Sequence, residues 1–151
     1  VEFSAEQRHL LRKLARRTWN FFEVFTTAVE HWLPPDNFQE YPHAVTATRT
    51  SPTNIGLVLL STLAAHDFGY ISMRGLTARI ARTVDTVEKL ERYRGHFYNW
   101  YDTRTLKPMG PLYLSTVDNG NLAALLLTLH SGLLEVADLH ERQADPPRNH
   151  R

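Results

Sequence analysis

The sequence predicts an all-α fold of about four long helices with two long loops. Two observations predict it. Apolar residues recur at three- and four-residue steps in four separate segments, the period of a helix face. Between these segments, Pro, Gly and small polar residues gather in two stretches that no helix would hold.

The first helix is expected from Ala5 to about Trp32. Ser4 and Gln7 have capping-box spacing, and Leu11, Leu14, Thr18, Phe22, Phe25, Val29 and Trp32 form one stripe. Arg12, Lys13, Arg16 and Arg17 read as its solvated face. Pro34 and Pro35 end it. A long loop follows, "LPPDNFQEYPHAVTATRTSPTN", of a length that is uncommon unless functional or held by a partner surface.

Ser51 and Pro52 start the second helix, as cap and first helical residue, and it runs to Gly69. From Ile55 to Ala65 it is apolar on almost every side, the pattern of a buried helix. Gly56, Ser61 and Ala64 leave room for a close neighbour. The third helix spans about Met73 to Tyr93 on Leu76, Ile80, Val84, Val87 and Leu90, with Gly95 suited to a left-handed C-cap. The fourth runs from about Asn119 to Leu139 on Leu122, Leu125, Leu126, Leu129, Leu133 and Val136. Short strand-like pieces at Phe97–Trp100 and Leu112–Leu114 suit a small hairpin. Residues 1–142 read as one helical domain or part of a larger one, and 143–151 as a polar tail.

Composition narrows the function. A chain of 151 residues suits one domain, and a formal net charge of +1 gives no reason to expect a nucleic-acid partner. No cysteine is present, which removes disulfide and thiolate chemistry. The longest apolar run, Ile55 to Leu60, is too short to span a bilayer. No signal peptide is visible, and the abrupt start at Val1 reads as a processed chain or a piece of something longer. His31, His43, His66, His96, His130 and His140 lack metal-ligand spacing, so neither a metal nor a cofactor is expected. P-loop, nucleotide-glycine and nucleophile-elbow motifs are missing.

One segment concentrates chemistry: "GHFYNWYDTRTLKP", with Tyr98, Trp100, Tyr101 and Asp102. Aromatic faces cover the C–H face of a sugar, while carboxylates and amides bind hydroxyls or move protons. Asp118, Asn119 and Asn121 form a second polar cluster at the start of the last helix. Two carboxylates brought close could act as general acid and base on an acetal. Each residue also fits a plainer role: Asp118 a helix cap, Asp102 an Asx-turn, Trp100 the core, Arg49 a tie between the long loop and a carboxylate.

The blocks "HWLPPDNFQEYP", "RTSPTNIGLVLLSTLAAHDFGYI", "LERYRGHFYNWYDTRTLKP" and "YLSTVDNGNLAALLL" resemble, in order, cyclic beta-1,2-glucan synthases over about residues 17 to 130. These are very large bacterial inner-membrane proteins. The similar stretch is their central soluble, glucoamylase-like region, and looser forms occur in secreted beta-1,2-glucanases and glucoamylase-like proteins. The resemblance implies the first part of an (α/α)6 toroid. It places Asp102 and Asp118 as catalytic or glucose-binding carboxylates facing the cleft. Around them Arg49, Tyr98, Trp100, Tyr101, Asn119 and Asn121 would bind substrate. The implied reaction is transglycosylation that closes linear beta-1,2-glucan into rings, and the implied partners are that glucan and the remainder of a parent polypeptide. Asn119 departs from a common serine, and Leu114 from a common valine. Four helices are too few for a complete toroid, so a full active site within this chain is not expected. The remaining possibilities are a sugar-binding or structural helical module, or a helical protein-interaction domain. The apolar second helix, with few partners to cover it, also implies self-association.

Overall fold

The computed structural model describes residues 2–144, with side chains through residue 142. Its order is α1 (Ala5–Phe25), β1 (Phe38–Gln39), β2 (Val45–Thr46), β3 (Arg49–Thr50), α2 (Pro52–Asp67), α3 (Met73–Lys89), β4 (Arg92–Tyr93), β5 (His96–Phe97), β6 (Tyr101–Asp102) and α4 (Thr116–Ala144). The four helices dominate, and the strands are two-residue antiparallel pairs within the loops: β1 with β2, β3 with β6, β4 with β5. The polar tail expected from residue 143 begins inside α4, and residues 145–151 lie outside the described residues.

As its all-round apolar sequence requires, α2 is the core helix. Ile55, Val58, Leu59 and Leu63 are buried, with Leu76 from α3 and Leu122 and Leu129 from α4 packed in the same cluster. Two glycines set the spacing of α2 and α4. A Cβ at Gly56 would sit 2.6 Å from Leu125 Cδ1, and one at Gly132 would collide with Leu63. Only hydrogen at these positions lets the helices approach so closely.

Several expected boundaries move. α1 stops at Phe25, where the Thr26 N–H caps Phe22 O, rather than reaching Trp32. Residues 27–32 instead form a turn in which His31 and Trp32 have positive φ. Hydroxyls from α3 hold that turn: Thr86 donates to His31 O at 2.7 Å and Thr83 to Trp32 O at 2.9 Å. α3 ends at Lys89 because Leu90 turns extended and buries its side chain. Gly95 does adopt positive φ, but beside Arg94 in the tight two-residue turn between β4 and β5, not as a helix cap. The expected Phe97–Trp100 hairpin with Leu112–Leu114 reduces to one backbone bond between these segments, from Asn99 N to Tyr113 O.

Two apolar faces stay open to solvent. Leu11 and Leu14 of the α1 stripe are about half exposed, at 47% and 50%. Along α4, Val117, Leu127 and Leu134 are exposed. By length and composition alone, Thr116–Arg142 could also cross a membrane; in this fold its other side carries the buried Leu122 and Leu129.

Candidate functional site

The site forms where the first turns of α2 and α4 meet the aromatic loop after β5. Ser115 caps α4: its hydroxyl accepts from the Asp118 N–H at 3.1 Å and donates to Asp118 Oδ2 at 2.6 Å. Asp118 is therefore the third helical residue, not the cap, and α4 starts at Thr116 rather than near Asn119. Its other oxygen accepts from the Thr53 hydroxyl of α2 at 2.7 Å. Asn121 Nδ2 donates to the same Thr53 hydroxyl at 3.1 Å.

Behind Asp118 sits Asn99, only 5% exposed. With its amide oriented to satisfy its neighbours, Asn99 Nδ2 donates to Asp118 Oδ2 at 3.1 Å, and Asn99 Oδ1 accepts from Trp100 Nε1 and the Tyr113 hydroxyl, each at 2.6 Å. One buried amide thus joins the carboxylate to two aromatic rings. Burial pushes the Asp118 carboxyl upward, but the Ser115 and Thr53 hydroxyls outweigh it and hold the carboxyl below its ordinary value. Asp118 is an anion at neutral pH, with both oxygens engaged.

On the other face of this cluster, the Arg49 guanidinium lies 4.4 Å from the Trp100 ring centroid. Arg49 also pairs with Asp36, at 3.0 Å from Nη2 and 3.3 Å from Nε. The expected tie between the long loop and a carboxylate is real, and Asp36 supplies it. Asp36 Oδ1 in turn accepts from Asn54 Nδ2 at 3.3 Å. Consecutive residues of α2, Thr53 and Asn54, therefore each hold a carboxylate, Asp118 and Asp36.

Asp102 stands opposite Arg49 in the β3–β6 ladder. Its Oδ1 accepts from the N–H groups of Arg104 at 2.9 Å and Thr105 at 2.7 Å, which is the Asx-turn role. Burial pushes its carboxyl upward, and these bonds, Thr105 first, more than offset that, leaving it below the ordinary value. No bond joins Asp102 to the Asp118 cluster among the described residues.

Two expected substrate ligands belong to the framework instead. Tyr101 is fully buried; its hydroxyl donates to Glu91 O at 2.7 Å and accepts from Tyr98 N at 2.8 Å. Burial pushes that phenol up to about 12. With no exposed surface, it cannot meet a sugar in this conformation. Asn119 spends its amide on the backbone of the aromatic loop, accepting from Phe97 N and donating to Phe97 O, both at 2.9 Å. Tyr98 is half-buried, edge-on to Tyr101 at 6.4 Å. Trp100 is likewise half-buried, and Asn121 is exposed.

Sequence reasoning passed over Asp36, Thr53, Asn54, Asn99, Tyr113 and Ser115. Ser115 and Asp118 did leave a signal, the serine–x–x–aspartate spacing of a capping box. A buried carboxylate was also missed. Glu30, 7% exposed, accepts from the Thr103 hydroxyl and from Arg104 Nε at 3.0 Å, anchoring the turn after α1 to the loop after β6. Among the described residues, no group of three or more His, Cys, Asp or Glu is arranged to hold a metal.

No protein-family model matches the chain. It is 50% identical over 135 residues, 89% of its length, to the cyclic beta-(1,2)-glucan synthase NdvB of Rhizobium meliloti (strain 1021). The chain spans only 5% of that relative's length. Its fold is similar to the crystal structure of a provisionally assigned glucoamylase from Bacteroides fragilis NCTC 9343, with a TM-score of 0.68 and 22% identity over 83% of this chain and 32% of that one. A second provisionally assigned glucoamylase, from Bacteroides caccae ATCC 43185, superposes with a TM-score of 0.63 and 26% identity over 79% of this chain and 30% of that one. The chain spans about a third of each solved structure. Over most of its length, then, the chain matches one segment of a cyclic beta-(1,2)-glucan synthase, folded as part of a glucoamylase-like α/α arrangement.

Proposed function

We propose that this chain is one segment of a glycoside-active domain that handles beta-1,2-linked glucan. The observation that supports the reading is the Asp118 carboxylate, held anionic by Ser115 and Thr53 and linked through Asn99 to Trp100 and Tyr113. An anchored carboxylate can bind glucose hydroxyls or take part in proton transfer, and ring edges and faces beside it suit a pyranose. Asp118 is the first choice for a role in the chemistry. Asp102 is the second, through the oxygen its turn leaves free, and Arg49, Tyr98, Trp100 and Asn121 would contact glucose units.

In a parent protein like the synthase, the reaction would exchange one glucosidic bond for another when a hydroxyl of the same glucan attacks, closing a ring. The remaining acids would come from the rest of the parent polypeptide, and residues 1–142 would act as one helical unit within a bacterial inner-membrane protein's soluble region. The chain alone would bind glucan weakly without turnover and would self-associate through its open apolar faces. The test is to incubate the whole parent domain with linear beta-1,2-glucan and look for cyclic products by mass spectrometry. Rings that appear with the native domain and vanish with Asp118→Asn support the reading; unchanged glucan across broad conditions refutes it.

A second reading, a sugar-binding or structural module without catalysis, draws on the engagement of Tyr101, Asn119 and one Asp102 oxygen in framework bonds. It predicts glucan binding, or none, with no role for Asp118 beyond stability.

A further inference from the structure

The polar side chain that organises the site is not one that would touch a sugar. Asn99 is nearly enclosed, and every polar atom of its side chain has a named partner: Asp118 Oδ2 for the amide N–H, Trp100 Nε1 and Tyr113 Oη for the carbonyl. Its backbone N–H adds a bond to Tyr113 O at 3.0 Å, so Asn99 fixes both the ring and the main chain of Tyr113. Only an amide can do all this at once. The carboxylate of Asp118 needs a donor, while the indole N–H and the phenol each need an acceptor. An aspartate here would offer acceptors alone, and a hydrophobic residue would leave buried polar groups unpaired.

We propose that Asn99 is the positioning residue of this site: it sets the Asp118 carboxylate against the Trp100 and Tyr113 rings, with Tyr113 an additional sugar-facing aromatic. Tyr113 suits that part because the residue is 49% exposed while its hydroxyl is tied down. A ring so fixed loses little side-chain freedom when a pyranose stacks on it. The inference rests on the glucan reading above for the ligand, but the geometry it assigns to Asn99 can be tested without one.

Two substitutions separate the arms of the amide. Asn99→Asp keeps acceptors for Trp100 and Tyr113 but places a second carboxylate 3.1 Å from Asp118 Oδ2. Asn99→Leu removes both arms. Carbon-13 NMR of the full chain would follow the Asp118 carboxyl through an acid titration, and nitrogen-15 NMR the Trp100 indole N–H. Asn99→Asp should raise the midpoint at which Asp118 titrates, with the indole signal little changed. Asn99→Leu should move both. Tyr113→Phe, an exposed position that should not threaten folding, should shift the indole signal modestly, because it frees one bond at Asn99 Oδ1. Affinity for a beta-1,2-linked gluco-oligosaccharide should fall roughly tenfold in Asn99→Asp, the worth of one hydrogen bond to a charged group. A folded Asn99→Asp protein with an unmoved Asp118 titration overturns the proposal. If Asn99→Leu does not fold, Asn99→Asp, close to isosteric, still decides. Wild-type protein that ignores the oligosaccharide would refute the glucan reading while leaving the two NMR results to judge Asn99.

Discussion

The Thr53 hydroxyl donates to Asp118 Oδ1 at 2.7 Å across 65 residues of sequence, fastening the first turn of α2 to the first turn of α4. This bond carries two consequences at once, one for packing and one for charge. It pins the two helices where their glycine-spaced contact begins, and it favours the ionised form of the carboxylate. Thr53→Val should therefore lower stability by about 1.5–3 kcal/mol, the range for a hydrogen bond to a charged group. It should also raise the pH at which Asp118 titrates. Chemical denaturation and carboxyl NMR measure the two effects separately.

The pH dependence of stability follows from the same groups. Asp102 and Asp118 both have folded-state pKa values below the ordinary one, so their stabilising contribution is present above the unfolded value, about 3.9. It is lost as pH falls from there through the lower folded values. The melting temperature should therefore drop on acidification below about pH 4. In Asp118→Asn the drop should be shallower, since one of the two linked groups is gone.

Tyr101 governs the alkaline side. Its folded pKa of about 12 lies above the ordinary phenol value of 10.0, so nothing is lost below pH 10. As pH rises from 10 toward 12, the unfolded chain ionises first and stability declines. Tyr101→Phe should flatten that decline while costing about 1–3 kcal/mol at neutral pH, because Tyr98 N–H and Glu91 O lose their buried partner. An alkaline limb unchanged in the variant would mean that other groups set it.

Packing between α2 and α4 gives a prediction independent of charge. Gly56→Ala would force its methyl onto Leu125, whose Cδ1 lies 2.6 Å from where it must go. The expected cost is about 1–3 kcal/mol. Trimming the neighbour as well, in Gly56→Ala/Leu125→Ala, should recover part of it. Thermal melts of the two variants show whether the contact is as tight as described.

The helices were legible in the sequence because helical periodicity and local caps decide them; Ser4, Ser51 and the apolar run Ile55–Ala65 meant what they said. The end of α1 was not, since hydroxyls of Thr83 and Thr86, more than fifty residues away, hold residues 31 and 32 out of the helix. Aspartates at a helix start and in a turn could be singled out by residue type, yet their partners could not. Asp36 meets Arg49 and Asn54 only once the long loop folds back, and Asn99 joins its neighbour Trp100 to Asp118 and Tyr113, which sequence spacing does not bring together. By residue type alone Tyr101 and Asn119 suit a ligand role, because aromatic and amide residues serve both sites and frameworks. Burial separates Tyr101, and the bonds to the Phe97 backbone separate Asn119.

The open apolar faces on α1 and α4 give the chain a reason to pair with itself. Sedimentation equilibrium at tens of micromolar protein should show mass above the monomer, and Leu127→Glu/Leu134→Glu should restore the monomer. A clean monomer in the native chain would leave these faces without a self-partner.

Whether the surface around Asp118 and Trp100 accepts beta-1,2-glucan is decided by an NMR titration of the full chain with short beta-1,2-linked gluco-oligosaccharides. Saturable shifts are expected at millimolar sugar, centred on the Trp100 indole N–H and the side chains of Asn121 and Tyr113, and weakened in Asp118→Asn. Spectra that stay unchanged near Trp100 at the same sugar concentration, with the protein folded, would contradict it.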